Sequence, residues 1–315
     1  MKILVFGLGA LGTVYSCLLK EAGHQVVGLD REPVVETIRQ DGVRITGIWG
    51  DHVSQLDDLV SDVQQIQSRD FDLIILTVKS FDTAAVAGQI TQIMAANTYV
   101  LLAQNGYGNF EAAAQYIPQE KLVLGRVIFG AETLAPGFSK VTVIADDVVL
   151  GSPQNVIDME VLENFAQTMS KAGIPTRASE QVMKYVWGKI IYNSALNSLG
   201  AILEVNYGKL AEVEHSRLLM DNVIREIFAL LAAMKQETLW SDAEAYLRDF
   251  YEKLVPATAS HHASMLQDIQ RGRKTEIDAL NGAVVVLGKK YGVSTPVNEV
   301  ITTLVKTKEQ LINQF

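Results

Sequence analysis

The chain contains very little cysteine: Cys17 is the only one among 315 residues. A single cysteine excludes an internal disulfide and fits a reducing compartment, so the predicted localisation is cytoplasmic. Cys17 lies inside the first predicted helix, where a cysteine is typically a small core residue. We therefore expect Cys17 to pack in the core and not to act as a nucleophile.

Long apolar runs and clusters of positive charge are also missing. The formal net charge is −9, the pI is about 5.1, and no run of Lys or Arg stands out. This balance argues against a nucleic acid or an anionic membrane as the main partner. No apolar stretch is long enough to span a bilayer, and glycines interrupt the apolar segment after Lys2, which argues against a secretory signal.

Motifs for metal-dependent and hydrolytic chemistry are absent from the sequence. His261 and His262 are adjacent, which is not the spacing of ligands to one metal ion. No H-E-x-x-H motif, cysteine cluster or G-x-S-x-G elbow accompanies them. We expect no metal site.

The sequence does contain a strand, a glycine-rich turn and a helix at its start. Residues 2–6 form an apolar strand, residues 7–12 read GLGALG, and helical periodicity follows. A second strand at 25–29 ends at Asp30 and Arg31, about 20 residues after the glycines, where dinucleotide-binding units place the residue that contacts the adenosine ribose. This context predicts a dinucleotide-binding unit.

Each glycine of the turn has a distinct predicted role. Gly7 permits the tight turn, Gly9 lets the backbone approach a pyrophosphate, and Gly12 lets the helix lie close to the sheet. The phosphates would then face a helix N-terminus, where unpaired N–H groups favour anions.

Further apolar strands at 71–78, 99–103 and 122–128 alternate with helices, which predicts a doubly wound parallel sheet. Segments 140–144 and 148–150 predict an antiparallel addition to it. Ligands bind outside the carboxyl ends of the strands in such sheets. We therefore expect the glycine turn, Lys79 and Asn105 to line one crevice.

The second half of the chain shows no strand pattern after about residue 180. Helical periodicity predicts helices at 180–199, 210–236, 241–254, 259–270, 276–291 and 298–312. The predicted organisation is a Rossmann domain over 1–178, which binds the dinucleotide, and an all-helical substrate and catalytic domain over 179–315. Long amphipathic helices are compatible with a homodimer and with a monomer.

Two groups of polar residues in this half are candidates for chemistry. Lys189, Asn193 and Asn197 recur every four residues and share one helix face, which is either solvated or directed at a ligand. Glu276 follows a threonine in a T-x-x-D pattern, so it is either an acid in a first helical turn or a site residue. Ser264 is either an ordinary helix residue or part of the same site.

Taken together, six segments resemble the ketopantoate reductase family, in order and over almost the whole chain. They are GLGALG (7–12), DGVRI (41–45), TVKSFDT (77–83), QNGYGN (104–109), WGKIIYNSALN (187–197) and SMLQDIQRGRKTEIDALNG (264–282). The resemblance implies a Rossmann domain followed by a helical domain. It also implies NADPH-dependent reduction of 2-dehydropantoate to pantoate, on the route to pantothenate.

The resemblance assigns roles by position. Lys189 would be the general acid, and Glu276 would bind the substrate hydroxyl. Asn105, Asn193, Asn197 and Ser264 would bind substrate. The implied cofactor-binding residues are Gly7, Leu8, Gly9, Ala10, Leu11, Gly12, Asp30, Arg31, Lys79 and Asn105.

Two departures from the family pattern leave alternatives open. Tyr207 stands where the family has an asparagine, and an asparagine occurs one position earlier, which leaves a related small 2-oxo acid as an alternative substrate. Arg31 matches the family position that binds the 2′-phosphate of NADPH, whereas Asp30 is the residue type that binds the 2′-hydroxyl of NADH. The prediction is NADPH, with NADH as the alternative.

Two other functions compete with this interpretation. An opine-type or 3-hydroxyacid-type dehydrogenase would share a Rossmann half and a helical half, but the TEID segment disfavours it. A non-catalytic dinucleotide sensor would bind the cofactor without turnover, and the Lys189, Asn193 and Glu276 pattern argues against it.

Overall fold

The computed structural model describes residues 1–312, which form two compact units. The first unit comprises Met1–Gln104 and Asn109–Val182. The second comprises Asn105–Gly108 and the chain from Met183 onward. Each unit has its own core of buried apolar side chains. The short segment Asn105–Gly108 therefore belongs to the second unit, although the first unit flanks it in sequence.

The first unit is an α/β structure with two sheets. Its strands are β1 (Lys2–Phe6), β2 (Gln25–Leu29), β3 (Val43–Gly47), β4 (His52–Ser54), β5 (Asp58–Val60), β6 (Leu73–Leu76), β7 (Tyr99–Leu102), β8 (Leu122–Arg126), β9 (Phe129–Ala135), β10 (Phe138–Ile144), β11 (Val148–Gly151) and β12 (Thr176–Ala178). Its helices are α1 (Ala10–Glu21), α2 (Glu32–Asp41), α3 (Thr83–Ile90), α4 (Asn109–Ala113) and α5 (Met159–Lys171).

The main sheet has eight strands in the order β12-β11-β8-β7-β6-β1-β2-β5. All neighbours pair in parallel except β8 and β11. The central strand β6 is buried along its full length, as expected for an apolar run covered on both faces. Chain order reverses on the two sides of β1, so the turn after β1 lies at the topological switch point, where Rossmann folds bind dinucleotides.

A second sheet has the order β4-β3-β10-β9, and α1 contacts strands of both sheets. The predicted antiparallel addition is therefore divided: β10 pairs antiparallel with β9, and β11 pairs antiparallel with β8 of the main sheet. The sequence pattern indicated two strands but could not indicate that they join different sheets. It also missed β4, β5, β9 and β12, which are short or only partly buried.

The second unit is helical, and in the described residues no strand occurs after Ala178. Its helices are α6 (Val182–Leu203), α7 (Tyr207–Glu212), α8 (Glu214–Met234), α9 (Ala243–Asp249), α10 (Val255–Ala257), α11 (Ser264–Gln270), α12 (Asn281–Tyr291) and α13 (Pro296–Ile312), with a π-helical turn at Phe250–Leu254. The predicted fold class, an α/β Rossmann part followed by a helical part, is confirmed. Residues 1–312 contain no helix with both the length and the apolar character needed to cross a membrane.

The predicted helix over 276–291 is wrong at its N-terminal end. Residues Ile277–Ala279 form a 3₁₀ turn, and Leu280 interrupts the helical backbone before α12 begins. Thr275 accepts a hydrogen bond from the Ile277 N–H (3.3 Å), whereas Asp278 pairs with Lys306 (2.6 Å). Glu276 therefore precedes a 3₁₀ turn and does not lie in the first turn of an α-helix.

Candidate active site

The glycine-rich turn after β1 has little room for side chains. Gly7 has φ +98°, and a Cβ there would lie 2.9 Å from the Val78 backbone nitrogen. A Cβ on Gly12 would lie 1.8 Å from the Gly7 carbonyl oxygen. Helix α1 therefore rests directly on the turn, and only glycine fits at these two positions.

Gly9 differs from Gly7 and Gly12, because no atom beyond its own residue and its chain neighbours lies within 4 Å of the position that a Cβ would take. Gly9 is the N-cap of α1, and no side chain caps its first turn, which is formed by Ala10, Leu11 and Gly12 and contains no acidic residue. Leu8, beside it, is buried. The open approach and the uncapped N–H groups fit the pyrophosphate of a dinucleotide.

At the end of β2, Asp30 and Arg31 have different environments. One Asp30 carboxylate oxygen accepts the Leu8 N–H (2.5 Å), and the other accepts the Arg31 N–H (2.7 Å). The Asp30 side chain is 16% exposed, whereas the Arg31 side chain is 83% exposed, and its Nε lies 3.8 Å from Asp30 Oδ1. The carboxylate is thus bonded to the glycine turn, while the guanidinium extends into solvent.

Lys79 lies just beyond β6, the strand next to β1 on the side opposite β2. It is half-buried and precedes a 3₁₀ turn at Ser80–Asp82. Thr77, two residues earlier, donates from its hydroxyl to the Gly7 carbonyl (2.5 Å). Sequence reasoning missed this support of the glycine turn, although a hydroxyl at the end of a strand beside β1 was the available signal.

In the second unit, Lys189, Asn105 and Glu276 lie together. Lys189 Nζ donates to Asn105 Oδ1 (2.6 Å). Asn105 Nδ2 donates to Glu276 Oε2 at 3.5 Å, which is a long hydrogen bond. The Asn105 amide therefore bridges an ammonium and a carboxylate, and its orientation is fixed because an ammonium can only donate and a carboxylate can only accept.

The segment that carries Asn105 is hydrogen-bonded to and packed against the residues that follow Glu276. The Tyr107 N–H donates to the Ala279 carbonyl oxygen (2.8 Å). A Cβ on Gly106 would lie 2.5 Å from the same oxygen, so the two backbones approach as closely as glycine allows. The Tyr107 ring packs on Trp187 of α6, with ring centroids 5.3 Å apart. These contacts bring Asn105 to Lys189, which is two residues beyond Trp187.

The polar stripe of α6 is buried and is not a solvated face. Asn193 is 9% exposed and Asn197 is 5% exposed, while Lys189 is half-buried. Asn197 Nδ2 donates to Ser264 Oγ (3.2 Å), and Asn197 Oδ1 accepts the Met265 N–H (3.1 Å). Ser264 begins α11 and is exposed.

Tyr207, the departure from the family pattern, is a buried core residue. It is 3% exposed, and its ring contacts His261 and Tyr192 at centroid distances of 5.4 and 6.0 Å. Burial raises the pKa of the Tyr207 hydroxyl well above its ordinary value. Asn206 caps α7 by accepting the Lys209 N–H (3.0 Å). The displaced asparagine therefore has a structural role at a helix N-terminus.

Cysteine and metal-ligating side chains are the remaining groups considered in the sequence. Cys17 is fully buried and its pKa is raised to about 11 by burial, as expected for a core thiol. In residues 1–312, no three His, Cys, Asp or Glu side chains are grouped so that they could hold a metal ion.

An ammonium bridged to a carboxylate by an amide can give a proton to a substrate oxygen and stabilise the charge that develops on it.

Comparison with known proteins identifies the family. Residues 3–155 match the family described as "Ketopantoate reductase PanE/ApbA", and residues 181–309 match "Ketopantoate reductase PanE/ApbA C terminal". A curated 2-dehydropantoate 2-reductase from Aquifex aeolicus is 47% identical over 311 residues, which cover 98% of this chain and 97% of that protein.

Two solved structures share the fold over 99% of this chain. A PanE/ApbA family ketopantoate reductase from Ralstonia eutropha JMP134 has a TM-score of 0.86 at 29% identity and is covered over 99% of its own length. D-mandelate dehydrogenase, in a ternary structure with NADH and anilino(oxo)acetate, has a TM-score of 0.88 at 26% identity and is covered over 100%. By sequence over both halves and by fold over nearly its full length, the chain belongs to the ketopantoate reductase family.

Proposed function

We propose that this protein reduces 2-dehydropantoate, also called ketopantoate, to pantoate with NADPH. The observation that carries the proposal is the bridge from Lys189 through Asn105 to Glu276. It occurs in a chain that is 47% identical to a curated 2-dehydropantoate 2-reductase. The rest of the proposal assigns the dinucleotide to the Rossmann domain, residues 1–178, and the 2-oxo acid to the helical domain, residues 179–315.

Lys189 is the proposed proton donor. When bound, the nicotinamide supplies a hydride to the carbonyl carbon of the 2-oxo acid. Charge then develops on the carbonyl oxygen, and Lys189 Nζ stabilises this charge and transfers a proton to the oxygen, so that the ketone becomes a hydroxyl. Lysine suits this role because its ammonium form dominates at neutral pH.

The neighbouring side chains hold the ammonium and the substrate. Asn105 Oδ1 accepts a hydrogen bond from Lys189 Nζ, which restricts the orientation of the ammonium group. Glu276 accepts a hydrogen bond from a substrate hydroxyl. The Asn193 side chain makes no hydrogen bond to the described residues, and we assign its amide to the oxygens of the acid. The Asn197 and Ser264 pair supplies a further amide and a hydroxyl for these oxygens.

The cofactor preference rests on the two residues after β2. Arg31 is 83% exposed and can form charge-assisted hydrogen bonds to a 2′-phosphate. Asp30, by contrast, already accepts two backbone N–H groups, which reduces its capacity to bind a ribose hydroxyl and its repulsion of a phosphate. We therefore infer NADPH, with NADH as the alternative.

A second candidate reaction is the reduction of a bulkier 2-oxo acid. One observation favours it: the fold is similar to D-mandelate dehydrogenase, with a TM-score of 0.88 at 26% identity. In this case the chemistry at Lys189 is the same, and only the group attached to the 2-oxo acid differs.

The test is oxidation of NADPH, followed by absorbance, with ketopantoate and then with a panel that includes pyruvate, 2-oxoisovalerate and phenylglyoxylate. The panel is repeated with NADH. We expect ketopantoate with NADPH to give the highest kcat/KM. A preference for phenylglyoxylate would favour the second candidate, and tight dinucleotide binding without turnover of any acid would indicate a sensor.

A further inference from the structure

A chain of buried hydrogen bonds runs through the second unit behind the polar stripe of α6. The Ser198 hydroxyl donates to Asn281 Oδ1 (2.5 Å), and Asn281 Nδ2 donates to the Ser194 carbonyl oxygen (3.1 Å) and to Asn298 Oδ1 (3.0 Å). Asn298 Nδ2 donates to Glu226 Oε2 (2.7 Å). Four helices, α6, α12, α13 and α8, are joined by this chain.

The charge of Glu226 fixes the direction of every bond in the chain. A carboxylate only accepts, so Asn298 must present its Nδ2 to Glu226 and its Oδ1 to Asn281. Asn281 must then present its Nδ2 to Asn298 and its Oδ1 to Ser198. Glu226 also accepts the Asn298 N–H (3.0 Å) at the start of α13, which anchors the carboxylate.

The four uncharged residues of this hydrogen-bond network are fully buried, each with 0% exposure: Ser194, Ser198, Asn281 and Asn298. The Asn281 amide uses both of its N–H groups and its oxygen. Ser194 takes part only through its carbonyl oxygen, and its buried hydroxyl has no hydrogen-bond partner in the described residues. Asn281 itself holds one geometry, because a displacement would leave its buried donors or its acceptor unpaired.

The position of Asn281 connects this network to the proposed site. Its partners on α6 are Ser194 and Ser198. They directly follow Asn193 and Asn197 of the polar stripe. Asn281 itself lies five residues after Glu276. Helix α13 runs antiparallel to residues 275–281 and contacts them at three points, which are Asn298 with Asn281 (3.0 Å), Lys306 with Asp278 (2.6 Å) and Glu309 with the Thr275 N–H (2.6 Å).

We propose that Asn281 is a positioning residue for the reduction: it fixes the axial position of α6 against the segment that carries Glu276. Lys189 and Glu276 reach the same Asn105 amide only when α6 and this segment are in register. A small shift along α6 would break the 2.6 Å bond from Lys189 or the 3.5 Å contact from Glu276. The inference rests on the proposed function, because it assigns Asn281 a part in that reaction.

The test compares Asn281→Ala with a matched control, Ser216→Ala. Ser216 is also buried in the second unit, and its hydroxyl donates to the Leu210 and Val213 carbonyls, away from Glu276 in sequence. Both variants should lower the melting temperature. Only Asn281→Ala should lower kcat for the preferred acid, by about 10- to 100-fold, with the NADPH KM unchanged.

Ser198→Ala provides a milder variant if Asn281→Ala fails to fold, because it removes one donor and keeps the amide. Ser198→Ala should also lower kcat, but by a smaller factor than Asn281→Ala. Equal kcat values in Ser198→Ala, Ser216→Ala and wild type, with melting temperatures reduced, would overturn the positioning role. A wild-type protein that reduces no acid of the panel would contradict the proposed function itself, and this inference would fall with it.

Discussion

The two units build their proposed sites in opposite ways. In the first unit, six consecutive residues from Gly7 to Gly12 form the turn, and backbone geometry defines it. In the second unit, Asn105 meets Lys189 and Glu276 across sequence separations of 84 and 171 residues, and side chains define the site. The glycine turn is thus local and made of backbone, whereas the site around Lys189 is assembled from distant side chains.

This difference determines how each site fails. A backbone site is damaged when atoms are added, because a Cβ collides with a neighbouring carbonyl or with the ligand. A side-chain site is damaged when atoms are removed, because the remaining groups lose the partner that oriented them. Substitutions that add atoms to the glycine turn and substitutions that remove side-chain atoms test this comparison. The largest expected change is the loss of kcat on substitution of Lys189 in the second unit.

Lys189→Ala should separate chemistry from cofactor binding. Removing the proton donor should lower kcat by about 10²- to 10⁴-fold, while the dissociation constant of NADPH stays unchanged because the glycine turn is intact. Steady-state kinetics and dinucleotide titration measure the two quantities. Lys209→Ala, which removes an exposed lysine of the same unit, is the control. A Lys189→Ala variant that turns over as fast as wild type would rule out the general acid assignment.

Adding one methyl group to the glycine turn should have two different outcomes, depending on the position. In Gly12→Ala the new Cβ meets the Gly7 carbonyl at 1.8 Å, so stability should fall by about 1–3 kcal/mol along with NADPH affinity. In Gly9→Ala the Cβ has no neighbour within 4 Å, so stability should be kept and only NADPH affinity should fall.

Thermal unfolding and dinucleotide titration of both glycine variants provide the measurement. The contrast between the variants is the informative result. If Gly9→Ala binds NADPH as tightly as wild type, the pyrophosphate does not approach the backbone there.

Arg31→Ala tests whether a side chain in the first unit sets cofactor preference. Loss of the guanidinium should weaken NADPH binding by about 1.5–3 kcal/mol and leave NADH binding nearly unchanged. Michaelis constants for both cofactors measure the effect, and Asp30→Asn is the companion variant. Equal losses for NADPH and NADH would show that Arg31 does not discriminate between them.

The smallest effect is expected at Cys17. Burial raises the pKa of its thiol to about 11, so below that pH the thiol stays protonated, and the thiolate is the reactive form. At about pH 8, a thiol reagent should modify the native protein slowly and the denatured protein quickly. Cys17→Ser should leave turnover unchanged. Rapid native modification with loss of activity would contradict a purely structural role.

The sequence alone determined the features that depend on neighbouring residues. The glycine turn between a strand and a helix, the alternation of strands and helices before residue 180 and the helical pattern after it all follow from local backbone geometry and side-chain periodicity. The resemblance of six ordered segments likewise indicated the family without a structure.

Only the tertiary structure decided which distant groups meet. It placed β10 and β11 in different sheets, assigned Asn105–Gly108 to the second unit, and bonded Asp30 to the Leu8 N–H. Periodicity shows which face of a helix or strand is apolar, but not which buried partner satisfies a polar group on that face. That choice depends on the packing of the whole unit, where most buried donors are paired with an acceptor.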